Sequence, residues 1–256
     1  HFLEFKIDNS KQYSVLYIDT EVGKNELIRR YQRILKNFKW NASSKFNMVS
    51  VYNKVDDYYK IIPQYIQQLK PDIVFVDCLY NTTEGDISKN SGLAPTLDKI
   101  DTIIRRFKPI TFIAVHHFNK GQNDMGLDPD RFNGGGRLKA WAELMVMISK
   151  TNNPSIRVFK VDNSRVIEPP GAVYQLEWDG DNFLLKNEGV CNNWKSLLIS
   201  EEKKYKWDSA LDEMDDEFET GVFKSYCYHT LNIQPRTSTG WLKEMTNFKV
   251  IEKIRH

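Results

Sequence analysis

Apolar positions in the first 150 residues switch repeatedly between two periods. Ser14 to Asp19 (Ser-Val-Leu-Tyr-Ile-Asp) is a short apolar run of the buried-strand kind. Lys24 to Leu35 then carries Leu27, Ile28, Tyr31, Ile34 and Leu35 on one helical stripe. Asn47 to Tyr52 reads as a strand. Asp56 to Leu69 reads as a helix through Tyr58, Tyr59, Ile62, Tyr65, Ile66 and Leu69, with Pro63 inside it. Pro71 closes that helix, and Asp72 to Asp77 (Asp-Ile-Val-Phe-Val-Asp) is the next strand. Leu93 to Phe107 predicts a helix and Ile110 to Val115 a further strand. Strands alternating with helices predict right-handed βαβ units, and so an α/β fold with a mainly parallel sheet flanked by helices.

Beyond about residue 150 the pattern changes. Ser155 to Val161, Val173 to Trp178 and Asn182 to Leu185 predict strands, the last two joined by the hairpin signal Asp179-Gly180-Asp181. They are expected to continue the sheet as antiparallel strands. From about Asn192 the chain becomes helical and charged, with Glu201 to Lys206 as an exposed helix face or solvated linker. Phe223 to Leu231 predicts a short helix, Asn232-Ile-Gln-Pro a turn, Arg236 to Thr246 a second helix and Phe248 to Ile254 a strand. That layout predicts a small winged-helix-like module, in which Trp241 and Leu242 belong to the core. The expected units are a core over residues 1–190, a helical linker over 191–218 and the terminal module over 219–256.

Composition narrows the picture only a little. The formal net charge is +2, from 36 basic and 34 acidic residues, which neither demands nor excludes nucleic acid. Cys78, Cys191 and Cys227 lack metal-type spacing and suit a reduced, cytoplasmic setting. No apolar run of membrane-spanning length and no signal peptide is present, so no membrane partner is expected. The chain opens on His1 rather than Met, and the natural start is expected upstream.

The strand ends carry the candidate chemistry. Asp77 closes a buried apolar run, the position from which a sheet edge presents a carboxylate to magnesium; the plain alternative is a strand-terminating turn Asp. Glu21 lies just past the first strand, where it can orient and deprotonate a water or simply stabilise a helix start. His116 and His117 follow the strand Ile110 to Val115; either one of them faces the crevice and bonds a terminal phosphate, or both are satisfied structural histidines. Zinc is disfavoured for them, because no third or fourth ligand sits at suitable spacing. Lys160 and Arg165 flank Val-Asp-Asn-Ser and are either finger cations for a phosphate or ordinary turn charges. Asn133-Gly-Gly-Gly-Arg137 is a flexible run, and Phe118 to Gly136 is a candidate DNA-facing loop. Arg236, Thr237 and Thr239 open the terminal module's second helix, where hydroxyls and a guanidinium can meet DNA phosphates and base edges; the alternative is a protein-docking module.

In this order the motifs resemble the RecA-like ATPases, in particular the RepA-type branch of hexameric helicases and mobile-element ATPases. Val15-Leu-Tyr-Ile-Asp-Thr-Glu21 resembles the strand bearing the catalytic glutamate, and Asp72 to Asp77 with Cys78-Leu-Tyr80 resembles the Walker B strand. Val115-His-His-Phe-Asn-Lys120 is similar to a His-His-x-x-Lys element, and Phe159 to Arg165 to the strand of basic fingers. The resemblance covers about residues 13–187. It implies ATP and Mg2+ as cofactors, Glu21 and His117 as catalytic residues and Asp77 as the metal ligand. It further implies nucleotide contacts from His116, Lys120, Lys160 and Arg165, assembly into a ring or filament, and single-stranded DNA as partner. The departure is the phosphate loop: Gly-x-x-x-x-Gly-Lys-Ser/Thr occurs nowhere, and Gly23-Lys24 lies on the wrong side of the Glu21 strand. The expected function is therefore a DNA-associated, helicase-type ATPase. The alternative is a non-catalytic DNA-binding or regulatory protein on a RecA-like scaffold that lacks the loop.

Overall fold

The computed structural model describes residues 10–39, 41–52, 55–85, 90–117, 126–128, 135–165, 168 and 171–252. Four short apolar runs become β1 (Val15–Asp19), β2 (Phe46–Ser50), β3 (Ile73–Asp77) and β4 (Thr111–Val115). They form a parallel sheet in the order β2-β1-β3-β4. Each connection contains a helix: α1 (Lys24–Phe38), α2 (Val55–Leu69) and α3 (Asn90–Arg106). Parallel neighbours need such crossovers, because a tight turn can only reverse the chain. Strands and helices lie within a few residues of where the apolar periods predict them.

The alternation along each strand divides the sheet into two faces. Leu16, Ile18, Val74 and Val76 are fully buried beneath Tyr58, Ile62 and Ile66 of α2 and Ile103 of α3. Each such aliphatic side chain contributes about 1.5–3 kcal/mol of burial. The opposite face is aromatic and more thinly covered. Tyr17 stacks on Phe75, and Tyr31 of α1 stacks on Phe46 with ring centroids 5.0 Å apart. No residue of α1 is fully buried, and Ile113 of β4 stays partly exposed.

A second sheet follows α4 (Gly135–Trp141). It consists of β5 (Leu144–Lys150), β6 (Ile156–Ser164), β7 (Val173–Asp179) and β8 (Leu184–Val190), antiparallel and in chain order. The strands pair antiparallel as the sequence predicts, but they form a sheet of their own rather than continuing the parallel one, and β5 is additional. Its run Leu-Met-Val-Met-Ile is apolar like those of β1 and β3, but it follows a helix with no Gly or Pro between them, so nothing in the sequence separates it from that helix. In the sheet Met145 and Met147 are buried, whereas Leu144, Val146 and Ile148 are exposed. Asn182 belongs to the turn rather than to the last strand. Its backbone N–H and side-chain amide both donate to the Asp179 carboxylate.

Three helices complete the described chain: α5 (Glu201–Leu211), α6 (Thr220–His229) and α7 (Pro235–Asn247). Trp207 and Ala210 of α5 share one core with Phe223 and Cys227 of α6 and Met245 of α7. Trp241 and Leu242 pack against that core, as their spacing predicts. The strand expected from Phe248 is not formed over residues 248–252, and residues 253–254 lie outside the described residues. Phe248 instead caps α7, donating its N–H to the Glu244 carbonyl while its ring packs on Trp207. Lys249 follows in the left-handed region and turns the chain away.

Candidate active site

The register of the parallel sheet sets Asp19 beside both Ser50 and Asp77, and Asp77 beside Val115. All four strands therefore end at one edge, and the segments that follow them meet there. At the carboxyl edge of an open parallel sheet, loops diverge and leave a crevice lined by strand-end residues.

Asp19 is the most constrained group at this edge. It is 0% exposed, and its carboxylate accepts from the backbone N–H groups of Glu21, Val22 and Gly23. It also accepts from the hydroxyls of Ser50 and Tyr52. Burial pushes its pKa up, but the bonds from Val22, Tyr52, Glu21 and Gly23 outweigh this and hold it below the ordinary carboxylate value. This folds residues 19–23 into a tight turn that starts α1. Gly23 has φ 101, and a Cβ there would lie 3.3 Å from the Tyr52 hydroxyl, so position 23 favours glycine on two counts.

Thr20 ties the end of β1 to the end of β3. Its N–H donates to the Asp77 carbonyl, and its hydroxyl both accepts from the Cys78 N–H and donates to the Cys78 carbonyl. Asn81 adds a bond from its side-chain amide to the Thr20 carbonyl. The Asp77–Cys78 peptide bond is cis. With the two strand ends fixed together, Glu21 and Cys78 become neighbours.

Glu21 projects from the Asp19 turn toward His117, with Oε2 3.1 Å from Nε2. The bond with His117 lowers the Glu21 pKa; burial, the next largest effect, opposes it, and a bond with the Cys78 thiol lowers it further. Glu21 is thus a carboxylate at neutral pH, in contact with an imidazole and a thiol. Asp77 points to the aromatic face and accepts a hydrogen bond from the Tyr17 hydroxyl. Burial, then Asp77 itself, raise the Tyr17 pKa and keep the phenol protonated.

The remaining sequence candidates divide. His116 is half-buried beside His117. Lys120 and the segment 129–134 lie outside the described residues. Lys160 pairs with Asp162 at 2.5 Å, and Arg165 donates to the Ala140 carbonyl. Among the described residues, neither basic side chain bonds Glu21, Asp77 or His117. Arg236, Thr237 and Thr239 are exposed at the start of α7, with the Thr239 hydroxyl turned back to the Pro235 carbonyl at 2.8 Å.

Sequence reasoning missed Asp19, Thr20 and Cys78. Asp19 had a signal, because it ends its apolar run as Asp77 does, but Glu21 drew the chemical reading. Cys78 had none: a single cysteine after a strand becomes informative only when its spatial neighbours are known.

No helix among the described residues is long and apolar enough to cross a membrane. No curated protein matches the chain. A family model described as AAA domain matches residues 2–123, so Glu21, Asp77 and His117, and the whole parallel sheet that gathers them, fall inside a span characteristic of ATPase-type nucleotide-binding domains.

Proposed function

We propose that the protein is an ATP-hydrolysing, DNA-associated ATPase of the RecA-like, RepA-type kind. The observation that carries this reading is the convergence of Glu21, Asp77 and His117 at the carboxyl edge of the parallel sheet. Asp77 fits magnesium: it is an oxygen donor with acceptor positions left after Tyr17, at the edge where phosphates would lie. The phosphate cradle itself has no match within these 256 residues, which contain no Gly-x-x-x-x-Gly-Lys-Ser/Thr.

In this reading Glu21 orients the attacking water and takes its proton. Its lowered pKa makes it a weak base that is always ionised, so positioning is the larger part of its role. His117 holds the Glu21 carboxylate and stands where it can exchange that bond for one to a phosphate oxygen. Lys160 and Arg165 would act on a neighbouring subunit of a ring or filament, which requires each to leave its present partner. Arg236, Thr237 and Thr239 offer α7 as a contact for single-stranded DNA.

The test is ATP hydrolysis by the complete protein, with and without single-stranded DNA. Glu21→Gln should cut turnover about 10²–10⁴-fold while ATP binding is retained; unchanged turnover removes the assignment. A second reading, a non-catalytic DNA-binding protein on this scaffold, is favoured by the missing phosphate loop. No hydrolysis by the complete protein, together with salt-dependent DNA binding weakened by Arg236→Ala, would establish it instead.

A further inference from the structure

Beside Asp77, the sheet edge assembles donors of a different chemical kind. Glu21, Cys78 and His117 each direct one ligand atom into a common space, and the carboxylate oxygen, thiol sulfur and imidazole nitrogen all lie within 4.8 Å of one another. They come from three separate strand ends, β1, β3 and β4, so no spacing along the chain reveals them.

We propose that Glu21, Cys78 and His117 form a binding site for a transition-metal cation of the zinc class, with a fourth position open to water. Sulfur and nitrogen donors select zinc-like cations, whereas magnesium takes oxygen ligands and avoids thiolates. Three protein ligands and an open position match the donor count of accessible zinc sites rather than closed structural ones.

The arrangement also supplies the necessary freedom and rigidity. Cys78 is 1% exposed, and its backbone is clamped by both bonds to Thr20, so the sulfur is a fixed anchor. The side chains of His117 and Glu21 are 58% and 47% exposed and already in contact at 3.1 Å. Ligand atoms around a tetrahedral zinc lie about 3.3–3.8 Å apart, given bonds of about 2.0–2.3 Å. Closing the site therefore asks for about an ångström of movement, which the two exposed side chains can make by rotation.

This inference is independent of the hydrolysis reading, although a metal here would occupy both Glu21 and His117 and so oppose catalysis by them. The experiment titrates Co2+ into the complete protein under reducing conditions and follows thiolate-to-cobalt charge-transfer absorption. The expected result is a single-site band that Zn2+ displaces and excess Mg2+ does not. Cys78→Ser should abolish the band, and His117→Ala should weaken Co2+ affinity at least tenfold. Because His117 is on the surface, its variant keeps the test informative even if Cys78→Ser fails to fold. A wild-type protein without the band, a band that survives Cys78→Ser, or an unchanged affinity in His117→Ala would each overturn the proposal.

Discussion

The ends of β1 and β3 stand side by side in register, and each closes an apolar run with an aspartate, yet the two carboxylates live in opposite conditions. Asp19 is sealed and receives three backbone N–H groups and two hydroxyls. Asp77 is half-buried and receives only the Tyr17 hydroxyl from a side chain among the described residues. A carboxylate has about four lone-pair positions. Asp19 has none to offer a ligand, whereas Asp77 has most of them left. Two acids with the same sequence signature therefore divide the work: one builds the turn that aims Glu21, and the other remains open to a cation.

The sharpest way to break this comparison is to neutralise each acid in turn. Asp19→Asn places an amide among five donors and strands several of them, at about 1–3 kcal/mol for each buried donor left unmatched. The expected loss exceeds about 3 kcal/mol in urea unfolding. Equal losses for Asp19→Asn and Asp77→Asn would show that the two sites are not distinct.

Acid should erase the same difference. The folded-state pKa of Asp19 is lowered, so the unfolded chain takes up its proton first as pH falls. The stabilisation from Asp19 is fully present above the ordinary carboxylate pKa and is lost as pH drops through the lower folded value. The stability gap between wild type and Asp19→Asn should therefore narrow below about pH 4. A gap constant down to pH 2 would mean that Asp19 does not act as a charge.

Two smaller effects concern the other strand end. Tyr17→Phe removes the phenol that holds Asp77 and should cost about 1.5–3 kcal/mol, the range for a bond to a charged acceptor. Asp77→Asn keeps an acceptor for Tyr17 and should cost under about 1 kcal/mol, while weakening the Mg2+ dependence of nucleotide binding. Thermal unfolding and a Mg2+ titration separate those two consequences.

The elements of the parallel sheet were legible because each strand is a short apolar run between turn residues and each helix carries one apolar stripe. Leu144 to Ile148 is an equally apolar run, but no turn residue separates it from the helix before it, and β5 was missed. The tail shows a second limit. Phe248 to Ile254 has strand-like composition, but Phe248 finds a better partner in the Trp207 ring, supplied by a helix that reads as a charged linker. Tertiary packing overrides local propensity there.

By itself, then, the sequence determined the order of strands and helices in the parallel sheet, the acids at the ends of β1 and β3, and the histidines after β4. These are local properties, written in periods of two and of 3.6 residues. Only the tertiary structure decided that Asp19 is consumed by its turn, that Asp77 is not, and that Cys78 joins Glu21 and His117. Hydrogen-bond saturation and ligand convergence depend on distances between separate strand ends, and parallel pairing sets those distances across more than 50 residues of intervening chain.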